Sequence, residues 1–170
     1  IVEDVRRDGD AALVALTRRF DAAAFSTDGI AVPAAVLTAA ATALDPTLRE
    51  AITTAAAQVR TLAEATRPSD RQATLPFGQQ IAVRAVPMDA VGLWAPGGRA
   101  AYPSSVIMGV VPAQVAGVKR IVVGTPPGSD GVAHGVILGT AALLGIEEVY
   151  VGAGVGLIAA LDYGTETIAP

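Results

Sequence analysis

Cysteine is absent from the 170 residues, which excludes disulfide cross-links and thiol nucleophiles. A single histidine, His134, leaves no set of His and Cys ligands for an ordinary zinc cage within this chain alone. Aromatic residues make up 4% of the chain although 52% is hydrophobic, so the core must be packed from Ala, Val, Leu and Ile rather than from stacked rings. No run of eighteen apolar residues occurs, and the start Ile1-Val2-Glu3-Asp4 lacks the basic-then-apolar layout of a secretory leader. A soluble, cytoplasmic protein without a membrane partner is expected. Twelve basic residues against sixteen acidic ones, dispersed along the chain with a net charge of -4, form no basic stripe for a phosphate backbone, so nucleic acid is not an expected partner.

The length suits one domain, or one domain and a piece of another. The chain starts on Ile1 and stops after "YGTETIAP" with nothing resembling a closing helix, and so reads as a fragment. Over residues 1–20, Val2, Val5, Leu13, Leu16 and Phe20 fall near a helical period, with an interruption at Asp8-Gly9. Pro33 and Pro46 sit where helices start, and Leu48, Ile52, Ala55, Val59 and Leu62 share one face of a second long helix. Residues 1–67 therefore form a helical arm. The stretch "QQIAVRAVP" alternates as a half-buried strand should.

Beyond Pro87 the pattern becomes strand, helix, strand: "AVGLWAP", "PSSVIMGVVPAQVAG", "RIVVGTP", "GVAHGVILGTAALLG", "EEVYVGAG", "VGLIAALDYG". Short apolar strands separated by helices of a dozen or so residues require parallel pairing, and Gly117 and Gly145 fall where helix C-caps are needed. Residues 68–170 are thus an α/β, parallel-sheet domain of incomplete dinucleotide-binding (Rossmann-like) type. In such sheets ligands bind at the carboxyl ends of the strands, here the loops "APGGRAAYPSS", "GTPPGSDG" and "GAGVG". Gly97 and Gly98 allow close backbone approach, and Ser104 and Ser105 can cap the following helix and aim its N–H groups at an anion. A tight turn before a capped helix explains the same residues. The loop Gly152-Ala153-Gly154-Val155-Gly156 follows a strand and opens a helix, but position 157 is Leu and the dinucleotide fingerprint is incomplete. His134 reads as a surface residue, Glu147-Glu148 as a solvated turn, and Asp162 and Glu166 as separated by a helix end at Tyr163-Gly164. These features describe a ligand crevice and name no reaction.

The strings themselves say more. "VGLWAPGGRAAYPSSVIMGVVPAQVAGVKRIVVGTPPGSDG", "AALLGIEEVY", "IAALDYGTETI" and the N-terminal "IVEDVRRDGDAALVALTRRFD" resemble the first half of the histidinol dehydrogenases. The resemblance implies an NAD- and zinc-dependent oxidoreductase that takes the small-molecule alcohol L-histidinol to L-histidine in histidine biosynthesis, and a homodimer when full-length. It implies a cofactor pocket that includes Trp94, Gly97, Gly98, Gly154 and Gly156, and a substrate contact at Ser104. Trp94 stands where the family carries a tyrosine, keeping the flat face and losing the hydroxyl.

Two departures stand out. The family's "GGAQA" segment reads "AGVGL" here, with Gly156 in place of a glutamine that touches NAD; losing such a hydrogen bond matters by about 1–3 kcal/mol when its partner stays buried. The family's zinc ligands and catalytic Glu-His pair fall beyond the segment matching Pro170, so the chain alone is expected to be inactive and to hold no metal. Two rivals follow: a related zinc- and NAD-dependent dehydrogenase of another small alcohol or diol, and a non-catalytic, truncated binding or assembly module.

Overall fold

The computed structural model describes residues 1–98 and 100–170. The first helix, α1 (Val2–Phe20), buries Val5, Leu13 and Val14 and bends at Gly9. The backbone there, φ 53° and ψ -131°, is open to glycine and strained for any other residue. A 3-10 turn (Thr27–Gly29) leads to α2 (Ala34–Ala43) and α3 (Pro46–Thr66). The Asp45 carboxylate caps α3 by accepting from the N–H groups of Thr47 and Leu48, with Pro46 in the first turn. Along α3, Ile52 is buried and Leu48, Ala55 and Val59 pack beside it, while Leu62 at the far end is exposed.

Next comes a hairpin of β1 (Arg71–Thr74) and β2 (Gln80–Val83), antiparallel and exposed at every residue. The expected half-buried strand is therefore a wholly exposed one. Its alternation has no core to answer to, because neither β1 nor β2 packs extensively on another described element.

The parallel sheet has the order β3 (Ala90–Trp94), β4 (Arg120–Thr125), β5 (Glu148–Val151). Ala90 pairs with Arg120, Trp94 with Gly124, and Thr125 with Val151. Helices α4 (Pro103–Ala116) and α5 (Gly135–Leu143) make the crossovers and pack together on one face; α6 (Gly154–Tyr163) lies on the other. Glycines set these distances. A Cβ at Gly109 of α4 would meet Leu93 at 2.8 Å, and one at Gly92 or Gly124 would meet Leu161 or Leu157 of α6 at 3.3 and 2.9 Å. Gly117 and Gly145 end α4 and α5 with positive φ, as their positions predict.

The N-terminal helices form an outer layer: α1 lies on α6, α2 on α5 and α3 on α4. One core runs through α1, the sheet and α6, and a smaller one of Leu44, Ile52, Ile107 and Val111 lies under α3. Among the described residues no helix is long and apolar enough to cross a membrane.

Candidate functional site

The three strands end side by side, and their carboxyl ends share a pocket of about 350 Å³. Trp94 closes β3, Pro126 follows β4, and Ala153 to Gly156 follow β5; Leu16, Phe20 and Asp21 of the arm complete the wall. Trp94, Gly154 and Gly156, three candidates named from sequence, are thus neighbours. The arm residues were not legible as site residues. Leu16 and Phe20 show only a helical apolar spacing, which core packing explains equally well.

Two features of this pocket call for a polar guest. The Trp94 indole N–H is buried and has no hydrogen-bond partner among the described residues, a state that costs about 1–3 kcal/mol. The start of α6 has Ala153 as its N-cap residue, with no side-chain cap. Its first-turn N–H groups carry the positive end of the helix toward the pocket, the arrangement that receives phosphate. The loop itself is fixed from below: the Ala153 N–H donates to Thr17 Oγ1 at 3.0 Å, and that hydroxyl donates to the Leu13 carbonyl at 2.8 Å. At the rim, partial burial pushes the Asp21 carboxyl above its ordinary value.

The two glycines of α6 differ. Nothing lies within 4 Å of a Cβ at Gly154, whereas one at Gly156 would come within 2.8 Å of Leu16 Cδ1. A side chain at 156 would start toward α1, into space that Leu16 fills. The glycine lets the arm close on α6.

Gly97 and Gly98 do not line this pocket. Gly97 is buried against the end of β4, its Cβ position 2.7 Å from Thr125 Oγ1, and Gly98 is exposed next to Pro126 and the Pro127 carbonyl. Ser104 is exposed in the first turn of α4 and caps nothing; Tyr102 is the N-cap residue and makes no side-chain bond. The capping expected of Ser104 and Ser105 fails because the helix starts at Pro103. Both serines lie inside the first turn, where a hydroxyl cannot reach forward to the N–H groups a cap serves.

His134 is exposed and is the N-cap of α5, its Nδ1 accepting from the Val136 N–H at 3.2 Å. Glu148 is no solvated turn: it opens β5 and takes a two-pronged contact from Arg120 at 2.9 and 3.0 Å. That hydrogen-bonded pairing holds its carboxyl below the ordinary 4.5. Glu166, past the end of α6, accepts from the Asp10 N–H at 2.8 Å, and Thr167 Oγ1 donates to Asp10 Oδ2 at 2.5 Å. This joint between α1 and the C-terminal tail gave no sequence signal. Among the described residues no three His, Cys, Asp or Glu side chains come together as metal ligands.

The family model for histidinol dehydrogenase matches residues 1–170. The histidinol dehydrogenase of Geobacillus kaustophilus is 45% identical over 170 residues, which cover 100% of this chain and 40% of that protein. That of Mesorhizobium japonicum is 44% identical, with 39% of its length covered. The crystal structure of histidinol dehydrogenase from Elizabethkingia anophelis matches with a TM-score of 0.90 and 35% identity, over 99% of this chain and 38% of that one. The chain spans about two-fifths of the length of the curated relatives it matches.

Proposed function

The chain belongs to the histidinol dehydrogenase family, and from that premise we propose that it supplies one wall of the NAD crevice of an enzyme that oxidises L-histidinol to L-histidine. The observation that carries this reading is the meeting of the unpartnered Trp94 indole and the α6 N-terminus in one pocket. Trp94, Phe20, Leu16 and Pro126 present apolar surface to a flat ring, while the first-turn N–H groups of α6, opened by Gly154, take the negative charge of a phosphate. A pocket of about 350 Å³ is at the small end for ligand sites, and suits part of a dinucleotide with the remainder held elsewhere.

When bound, NAD would supply the hydride acceptor. The residues here bind and orient it, and the apolar walls keep water from its ring. The described residues offer no metal-ligand set, so they do not fit a zinc site, and the zinc of the family resemblance would be held from outside them. The same resemblance supports a cytoplasmic homodimer for the longer protein. A second reading, oxidation of a different small alcohol or diol, is favoured by one observation: Leu16 fills the space beside Gly156. Assay of the full-length product on histidinol against small diols separates the two.

Titration of the chain with NAD, followed by the fluorescence of Trp94, the only tryptophan, tests the cofactor reading. Saturable quenching is expected, together with binding heat that Trp94→Ala removes. No response at millimolar NAD, in this chain and in the full-length product alike, refutes it.

A further inference from the structure

Asp21 stands at the end of α1, where helix electrostatics are against an acid. The last carbonyls of a helix form its negative end, which favours cations and disfavours a carboxylate. The last turn of α1 follows that rule with Arg18 and Arg19, and Asp21, its C-cap residue, breaks it. Neither arginine compensates. Arg18 Nε donates to the Phe25 carbonyl at 2.6 Å, and the Arg19 guanidinium lies 5.0 Å from the centre of the Phe20 ring. Among the described residues no cation forms an ion pair with Asp21, and partial burial raises its carboxyl above the ordinary value. A locally unfavourable charge that is short of donors marks a group kept for a ligand.

The pocket at the strand ends gives that ligand its chemistry. Among the described side chains that line it, Asp21 alone is charged at neutral pH. The first-turn N–H groups of α6 and the Trp94 indole are donors, whereas an ionised carboxylate only accepts. One buried threonine fixes the two kinds of wall relative to each other. The Thr17 carbonyl accepts from the Asp21 N–H at 3.0 Å, and the Thr17 hydroxyl accepts from the Ala153 N–H at 3.0 Å. The acceptor on the arm and the donor end of α6 are thereby held at a set separation in one cavity.

A dinucleotide carries the matching groups: phosphate oxygens that accept and, beside them, a ribose whose two hydroxyls donate. The nicotinamide half undergoes hydride transfer next to groups that move a proton. This wall offers a single titratable side chain, with no acid–base partner for it, so the half that fits here is adenosine.

On the reading that this pocket takes NAD, we propose that Asp21 accepts from the hydroxyls of the adenosine ribose and selects NAD over its 2′-phosphorylated form, NADP. A 2′-phosphate removes one of the two donors and sets a charge of about −1.5 to −2 against the carboxylate. Asp21 is on this view a binding and specificity residue and takes no part in the chemistry.

Calorimetric titration of the full-length product with NAD and with NADP at low salt tests the assignment. The parent is expected to bind NAD at least about 10-fold more tightly than NADP, and Asp21→Asn, which keeps the size and removes the charge, should narrow the preference to about 3-fold or less. Asp21→Glu keeps the charge and should keep most of the preference. Because the charge is unfavourable where it stands, Asp21→Asn should not lower the thermal midpoint; a lower midpoint would give the carboxylate to the fold and overturn the proposal. An unchanged preference in Asp21→Asn, with NAD still bound, overturns this inference and leaves the pocket reading intact. So does a preference lost equally in Asp21→Asn and Asp21→Glu, which would make the effect one of shape. Failure of the parent to bind either dinucleotide overturns the pocket reading, and this inference with it.

Discussion

Helices α5 and α6 begin alike and serve differently. Each follows a parallel strand, opens on a glycine and is almost wholly apolar. The start of α5 is closed by the His134 imidazole, and Ile137 to Ala141 are all buried, with Gly139 pressed against α2. The start of α6 has no side-chain cap and faces a pocket, and Val155 and Ile158 remain half exposed. The same local pattern thus yields a sealed structural element on one face and an open one on the other. The difference lies in what the rest of the chain lays over each.

The largest effect should come from the joint that fixes the far end of α6 to the arm. Gly9→Ala places a Cβ against Glu166 Oε2 at φ 53°, and a loss of about 3 kcal/mol is expected in urea unfolding. A loss under 1 kcal/mol would show that the joint does not hold α6.

The two helical glycines sharpen the contrast next. Gly139→Ala brings a Cβ to 2.9 Å from the Ala40 carbonyl oxygen, a backbone atom, and should cost about 2 kcal/mol. Gly156→Ala clashes with the end of the Leu16 side chain alone, its other neighbours lying at ordinary contact distance; that end can turn aside, so the cost should stay below about 1 kcal/mol while NAD quenching of Trp94 weakens. Equal losses in thermal unfolding would erase the distinction between the two helices.

The tail that leaves α6 is held through Arg120 and Glu148. Glu148 is held below 4.5 when folded, so the native state binds fewer protons than the unfolded one. Its stabilisation is full above the ordinary carboxylate value and is lost as pH falls through the depressed one. Both side chains are partly exposed, so Glu148→Gln should cost about 0.5–1 kcal/mol at neutral pH and nothing in acid, where the curves of variant and parent converge. The smallest effect belongs to the sealed start of α5: His134→Ala removes the one contact to the Val136 N–H and should cost about 0.5 kcal/mol, with NAD titration unchanged.

Periodicity made much of the fold legible. The kink at Gly9, the start at Pro46, the caps at Gly117 and Gly145, and the alternation of strands and helices after Pro87 are all written in local sequence. The loop after β5 pointed to Gly154 and Gly156, and the family resemblance to Trp94; the three share a pocket. What escaped was long-range. Thr17 under Ala153, Glu166 on Asp10, and Arg120 across Glu148 and the tail join residues 28 to 156 positions apart, and such pairs leave no periodic trace. The capping reading of Ser104 and Ser105 misled because a Pro-Ser-Ser string fits a cap and a first turn equally, and the difference is a shift of two residues.

Sequence by itself determined the element types, the parallel crossovers and the family, because these follow from hydrophobic period, turn residues and extended motif likeness. Only the tertiary structure decided that α6 lies opposite α4 and α5 and that Leu16 fills the space at Gly156. Those outcomes depend on which distant segments reach a surface first and bury it. Burial is a property of the folded whole, and no stretch of the chain carries it alone.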